Sequence, residues 1–285
     1  MIEQDKLHVN IALLDLYEGV PNEGMRCIRE IIAQWGIANN LQINLKEFEV
    51  RIKQEVPGTE FDMYISTGGP GSPLESEGSE WELKYFSWLK KMESWNNDPL
   101  QQEKKHIFFI CHSYQLACRH YKVARVVKRK STAFGVFPIH LIGDADTEFV
   151  FEGLPDPFYA VDSRDYQVVQ PNHKRLREMG ASPLAIEKER PHVPLERAVM
   201  AIRFNDYMIG TQFHPEADAE GMTMYLLRED KKKMVIENHG EDKWHNMIDG
   251  LNDPSKIFLT NSHILPNFLD HALQQKWVFS NPGNV

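Results

Sequence analysis

Long apolar runs are missing from this 285-residue sequence. None of its hydrophobic stretches approaches the ~20 residues that a bilayer-spanning helix needs. The opening text, MIEQDKLHVN, has no basic stretch followed by an apolar one, so no signal peptide is expected. Cysteine is scarce, with Cys27, Cys111 and Cys118 the three in the chain. So small and odd a number argues against a disulfide framework and, with no leader, for a reducing, cytoplasmic setting. No pair has CxxC spacing, so no metal site is expected. Positive charge is short as well: 32 Lys and Arg face 41 Asp and Glu, a net charge of −9. That sign repels phosphate backbones and argues against a nucleic-acid partner. The basic runs at 128–130 and 231–233 read as solvated faces. Internal repeats, low-complexity tracts and a G-x-x-x-x-G-K-[ST] nucleotide loop are all absent.

What is present is an alternation of strand and helix patterns. His8 to Leu16 is a buried-strand pattern, and from Gly24 to Trp35 the residues Met25, Ile28, Ile31, Ile32 and Trp35 share a helical face. Leu41 to Val50 alternates as a strand. Phe61 to Ser66 is a short strand running into Gly68-Gly69-Pro70-Gly71-Ser72. Glu80 to Trp95 is helical, His106 to Ile110 is a continuously apolar strand, and a helix from about Tyr114 to Tyr121 follows. Between Lys122 and Asp165 short strands are expected at Val123–Val127, Val136–Ile142 and Tyr159–Val161. A hairpin is expected to turn at Asn205-Asp206. The text from Ala219 onward is helical and polar. These patterns predict an α/β fold: an open, mostly parallel, flavodoxin-like sheet with helices on both faces, an antiparallel edge extension and a helical C-terminal extension.

Three places carry chemistry on that fold, because ligands of open α/β sheets sit beyond the carboxyl ends of the strands. Cys111 ends one strand and precedes a helix, the setting of a nucleophile elbow, where helix-end amides favour a thiolate. The glycine turn at 68–72 also follows a strand, and its N–H groups can line an oxyanion hole. Gln212-Phe213-His214-Pro215-Glu216 follows the last strand and offers the base and the orienting carboxylate that a cysteine nucleophile requires. Singly, each has a plain structural explanation: a packed thiol, a turn, a chance tripeptide. Cys118 reads as core. The His112 side chain should project away from the nucleophile.

The order of these motifs resembles the class I glutamine amidotransferases, the triad family that includes the glutaminase of GMP synthetase. The likeness spans roughly residues 8 to 225. That family carries a glycine turn like Gly68-Gly69-Pro70-Gly71, an elbow of the form G-x-C-x-G-x-Q, and a closing HPE. Here the elbow is Phe109-Ile110-Cys111-His112-Ser113-Tyr114-Gln115, and the closing text is Gly210-Thr211-Gln212-Phe213-His214-Pro215-Glu216. The resemblance implies Cys111 as nucleophile, His214 as base and then acid, and Glu216 as its orienter. It implies the Gly69 and His112 amides as the oxyanion hole, and Gln115, Gly68, Ser163 and Arg164 around the substrate. Two departures stand out. Both elbow glycines are replaced, by Phe109 and Ser113, and Arg164 stands where the family tends to carry a histidine.

The implied activity is hydrolysis of the γ-amide of glutamine through a thioester, with ammonia passed to an acceptor enzyme, on a pattern like GMP synthase. It needs no metal and no organic cofactor. About 60 residues after the core are too few for an ATP-activating domain, so the expected partner is a separate ATP-dependent synthetase subunit. The expected division is a 1–225 amidotransferase-like domain with a 226–285 helical extension packed on it. A stand-alone γ-glutamyl peptidase on the same scaffold, and a catalytically idle binding module, are the alternatives.

Overall fold

The computed structural model describes residues 6–192, 194–251, 253 and 256–280. Side chains of Met234, Met247 and Trp277, expected to pack in the C-terminal extension, lie outside the described residues, as do Asn252 and Pro254 of a predicted turn.

One nine-stranded sheet organises the molecule, in the order β2-β1-β3-β4-β9-β8-β7-β5-β6. The strands are β1 (His8–Asp15), β2 (Gln42–Glu49), β3 (Met63–Ser66), β4 (His106–Ile110), β5 (Arg125–Leu141), β6 (Phe158–Val169), β7 (Ser182–Glu187), β8 (Val199–Asn205) and β9 (Met208–Thr211). From β2 through β1, β3 and β4 to β9 neighbours run parallel; from β9 through β8, β7 and β5 to β6 they run antiparallel. The antiparallel extension is thus continuous with the parallel core. The β5 region departs from expectation. Residues 123–127 and 136–142 are expected as two strands, but 125–127 and 136–141 belong to one long strand, whose pairing with β6 slips between Lys128 and Ala133. That irregularity interrupts the alternation by which strands are read. The predicted hairpin forms, its turn fixed by Asn205 Oδ1 accepting from the Tyr207 amide at 2.9 Å.

Helices α1 (Gly24–Ala38), α2 (Glu80–Asn97) and α3 (His112–Tyr121) follow β1, β3 and β4; α4 (His173–Met179) is a short connector. The central strands are apolar on both faces because both are covered. Val9, Ile11 and Leu13 of β1 join a cluster with Ile28, Ile32 and Trp35 of α1, while Ala12 and Leu14 face a second cluster with Tyr85, Trp88 and Leu89 of α2. After β9 come α5 (Ala219–Leu227), α6 (Glu229–His239), α7 (Glu241–Leu251) and α8 (Ile257–Ser280). Ile264, Leu265, Phe268 and Leu269 of α8 are buried in the first cluster beside Phe108 and Phe158. Trp35 Nε1 donates to Asp270 Oδ1 at 2.7 Å, tying α8 to α1. Among the described residues no helix is long and apolar enough to cross a membrane.

Candidate active site

Cys111 stands between β4 and α3 with φ 47° and ψ −96°, a left-handed φ that costs a non-glycine residue free energy of about 1–3 kcal/mol. The strand holds it from one side, since its amide donates to the Thr211 carbonyl of β9 at 2.7 Å. The helix holds it from the other, since its carbonyl accepts from the Gln115 amide at 3.0 Å. The kink turns the side chain out of the sheet at the end of the parallel strands.

The segment after β9 is anchored next to it. The His214 amide donates to the Val161 carbonyl at 2.8 Å, which pins this segment to β6. His214 Nδ1 and Glu216 Oε1 are 2.8 Å apart, with the carboxylate almost completely buried. The other carboxylate oxygen of Glu216 has no hydrogen-bond partner among the described residues. His214 stands beside Cys111, both coming within 4 Å of the place that a Gly68 Cβ would take. Burial opposes its charge, but Glu216 and Cys111, by charge and by hydrogen bonding, hold its pKa well above the ordinary histidine value.

The glycine turn closes on these groups. A Cβ at Gly68 would lie 3.0 Å from His214 Cε1 and 3.7 Å from Cys111 Cβ, so only a glycine lets the turn approach base and nucleophile together. A Cβ at Gly69 would collide with the Leu16 carbonyl oxygen. Arg51 fixes the turn from behind: Nη1 donates to the Pro70 carbonyl at 2.7 Å and to the Leu16 carbonyl at 3.3 Å. His112 opens α3 with its side chain buried. Burial first, then the charges of Arg51 and Arg119, push its pKa down to about 3, so the ring is neutral.

The structure distributes the other expected site residues unequally. The Ser163 carbonyl lies 3.9 Å from Cys111 Sγ. Gln115, expected at the substrate, is buried and engaged within the protein: its Nε2 donates to the Tyr166 carbonyl at 3.2 Å and to Gln212 Oε1 at 3.1 Å. Arg164, also expected at the substrate, is engaged within the protein. Neighbours on a strand point to opposite faces, so Arg164 sides with Asp162 rather than with Ser163. Its guanidinium is buried against the Asp162 carboxylate at 2.8 Å and Glu187 at 3.3 Å.

Three residues near the site were not singled out by sequence: Gln212, whose Nε2 donates to Cys111 Sγ at 3.7 Å; Arg51; and Tyr17. The Tyr17 hydroxyl lies 3.3 Å from the position a Gly68 Cβ would occupy, and burial, then the charges of Glu216 and Cys111, keep it un-ionised. Gln212 sat inside a motif already noted. Arg51 and Tyr17 lie in loops whose text gives no signal of their approach. The other thiols are closed off. Cys27 is buried, and burial followed by the charges of Asp218 and Glu216 pushes its pKa up to about 12; burial also raises that of Cys118. A groove of about 840 Å³ lined by Lys46, Phe48, Val56, Lys84, Trp88 and Lys91 lies at the β2 edge and includes none of the triad.

Residues 20–234 match the family model described as glutamine amidotransferase class-I. The chain belongs to that family. Its fold is similar to that of a glutamine amidotransferase from Thermotoga maritima (TM-score 0.65, 14% identity, 94% of this chain and 99% of that one). It is also similar to a glutamine amidotransferase from Methylobacillus flagellatus (TM-score 0.58, 13% identity, 96% and 95%). A third is the glutaminase domain of Trypanosoma brucei CTPS with bound acivicin (TM-score 0.52, 14% identity, 73% and 86%). Among curated proteins none matches. At such identities the likeness speaks to the fold, while the family membership supports glutamine amide hydrolysis as the general chemistry.

Proposed function

We propose that this class-I amidotransferase hydrolyses the γ-amide of glutamine with Cys111, His214 and Glu216 as its triad. The observation that carries the reading is the pairing of a strained, outward-turned Cys111 with a histidine whose far nitrogen is 2.8 Å from a buried carboxylate. Glu216 fixes the imidazole and stabilises its cationic form, which in turn favours the thiolate. The thiolate attacks the γ-carbonyl carbon, and the oxyanion rests against the Gly69 and His112 amides. His214 gives its proton to the leaving nitrogen, so ammonia departs and a γ-glutamyl thioester remains. Water loses a proton to His214, attacks the thioester and releases glutamate, and the proton returns to the His214–Cys111 pair. The half-reaction uses no metal or organic cofactor.

Ammonia is passed to a separate ATP-dependent synthetase, a role like that of the GMP-synthase glutaminase, in a cytoplasmic setting. The closing GTQFHPE text supports that assignment. Residues 226–285 act as an extension docked on the 1–225 amidotransferase body, a division supported by the α8 side chains in the shared core and by Asn261 Nδ2 donating to the Glu216 carbonyl at 2.8 Å. The stand-alone γ-glutamyl peptidase is the alternative; Arg164, engaged by Asp162 and Glu187, lends it no support.

The test compares ammonia release from glutamine with amine release from γ-glutamyl peptides, using the purified chain with and without cell extract. Glutamine turnover that rises with extract and vanishes in Cys111→Ala is expected. Cleavage of peptides but not glutamine would replace the reading with the peptidase, and turnover at ordinary enzyme rates of about 1–10³ s⁻¹, unchanged by extract, would remove the synthetase partner.

A further inference from the structure

Gln212 is fully buried, so each of its amide groups must be satisfied from within the protein. Which end faces the sulfur follows from the chain of bonds around it. The Tyr166 carbonyl can only accept, so the group of Gln115 beside it, 3.2 Å away, must be the NH2. That same NH2 reaches the Gln212 side chain at 3.1 Å, so the atom it meets there must be the oxygen. The Gln212 NH2 is thereby turned to the other side, where Cys111 Sγ lies 3.7 Å away.

We propose that Gln212 is a positioning residue that aims an amide N–H at Cys111 and stabilises its thiolate, and that Gln115 fixes the direction in which that amide faces. The inference rests on Cys111 being the nucleophile. The sulfur needs such a donor because the Ser163 carbonyl, 3.9 Å away, presents negative charge to it and favours the thiol. A thiolate accepting an N–H is stabilised, whereas the thiol gains little from that contact. His214 can serve the thiolate only while it carries its proton, and it gives that proton up during each turnover. The Gln212 amide carries no exchangeable charge and remains a donor throughout. The titratable groups facing this corner are His214 and Glu216 after β9 and Tyr17 after β1.

The experiment reads the pH dependence of Cys111 alkylation by limiting iodoacetamide, mapped by mass spectrometry, which needs no glutamine. Gln212→Met keeps the length of the side chain and removes the donor. Its alkylation midpoint should rise by about one pH unit, a roughly fivefold loss of labelling at the pH of the wild-type midpoint. Gln115→Met, which frees the Gln212 amide to flip, should raise it by less. An unchanged midpoint in a folded Gln212→Met protein would overturn the proposal. Should that variant fail to fold, the wild-type chain supplies the answer: the Gln212 side-chain amide resonance should titrate together with Cys111 labelling and stop titrating in Cys111→Ala. A flat resonance in the wild type overturns the proposal too. A shifted midpoint without ammonia release would leave this inference standing and remove the glutaminase reading.

Discussion

Two buried groups of charged side chains lie close together in this chain, and they are built differently. The first, His214 and Glu216 with Cys111, sits beyond the ends of β4 and β9 on backbone that has left the sheet. The second, Asp162, Arg164, Glu187 and Arg129, sits inside β5, β6 and β7, where each side chain is held by its strand. In the first, a carboxylate meets a single hydrogen-bond partner and keeps an oxygen free. In the second, Glu187 receives Arg129, Arg164 and Arg190. Burial is shared; the difference lies in the carboxylates, since Glu216 meets one partner past the strand ends whereas Glu187 meets three arginines and joins the strands, although Arg164 Nη1 is likewise buried without a partner among the described residues.

The sharpest way to break this contrast is to remove the reactive groups. Cys111→Ala and His214→Ala should each lower glutamine turnover by about 10³-fold or more with little change in unfolding midpoint, because a triad acts as a unit. Glu216→Gln should cost less than either. Steady-state ammonia release and urea unfolding on the same preparations check both halves. Near-normal turnover in His214→Ala would remove this triad.

The strand-borne group should answer in the opposite way. Arg164→Met strips the counter-charge from Asp162, leaving that buried carboxylate unpaired, and removes one of the three arginines at Glu187. The expected loss is about 3 kcal/mol of folding stability, with kcat of the remaining folded protein near wild type. If kcat instead falls while the unfolding midpoint holds, Arg164 belongs to the reacting region after all.

The same contrast explains what the sequence made legible. The parallel half announced itself, since strands buried on both faces are continuous apolar runs; Cys111, His214, Glu216 and the glycine turn were singled out at the ends of those runs, and the fold brings them together. The antiparallel half was legible as an edge extension with its hairpin, but not strand by strand. The β5–β6 slip between Lys128 and Ala133 hides one long strand behind two short ones. The ion pairs of Arg164 were not legible either, because a charged residue beside a site looks the same in text whether it faces the substrate or a buried carboxylate. Arg51 escaped notice for a related reason: its role depends on where the Pro70 and Leu16 carbonyls arrive, 19 and 35 residues away in the chain.

A third, smaller effect concerns acid. Burial pushes the pKa of His106 and of His112 down to about 3, whereas in the unfolded chain each titrates near 6.5. Below about pH 6.5 the unfolded state therefore binds more protons, and stability falls as pH falls until the folded-state values are reached. At pH 5 each ring should cost about 2 kcal/mol. His214, with its pKa raised, pulls the other way: its contribution is complete below the unfolded value near 6.5 and shrinks as pH rises past it, so it offsets part of the drop between pH 7 and pH 5. Urea midpoints at pH 7 and pH 5 check the sign, and His112→Gln should flatten the dependence. A midpoint that does not drop on acidification would mean that these rings charge without unfolding the protein.

The smallest effect tests the contrast where it is most exposed, within the elbow itself. Ser113 stands two residues after the nucleophile in place of a family glycine, yet its hydroxyl does the work of a strand-borne group. It accepts from the Ile110 amide at 2.9 Å and donates to the Ser66 carbonyl at 2.6 Å, joining the ends of β3 and β4. Phe109, the other replaced glycine, lies opposite Gly210 in the β4–β9 register, where the missing side chain gives its ring room against Phe204. Both departures are therefore accounted for by packing and hydrogen bonding rather than by the reaction. Ser113→Gly should lower stability by about 1–2 kcal/mol, from the unpaired Ile110 amide and the added backbone freedom, and leave kcat within about twofold. Thermal unfolding and steady-state ammonia release decide it. A large loss of turnover with stability intact would show that the serine tunes Cys111.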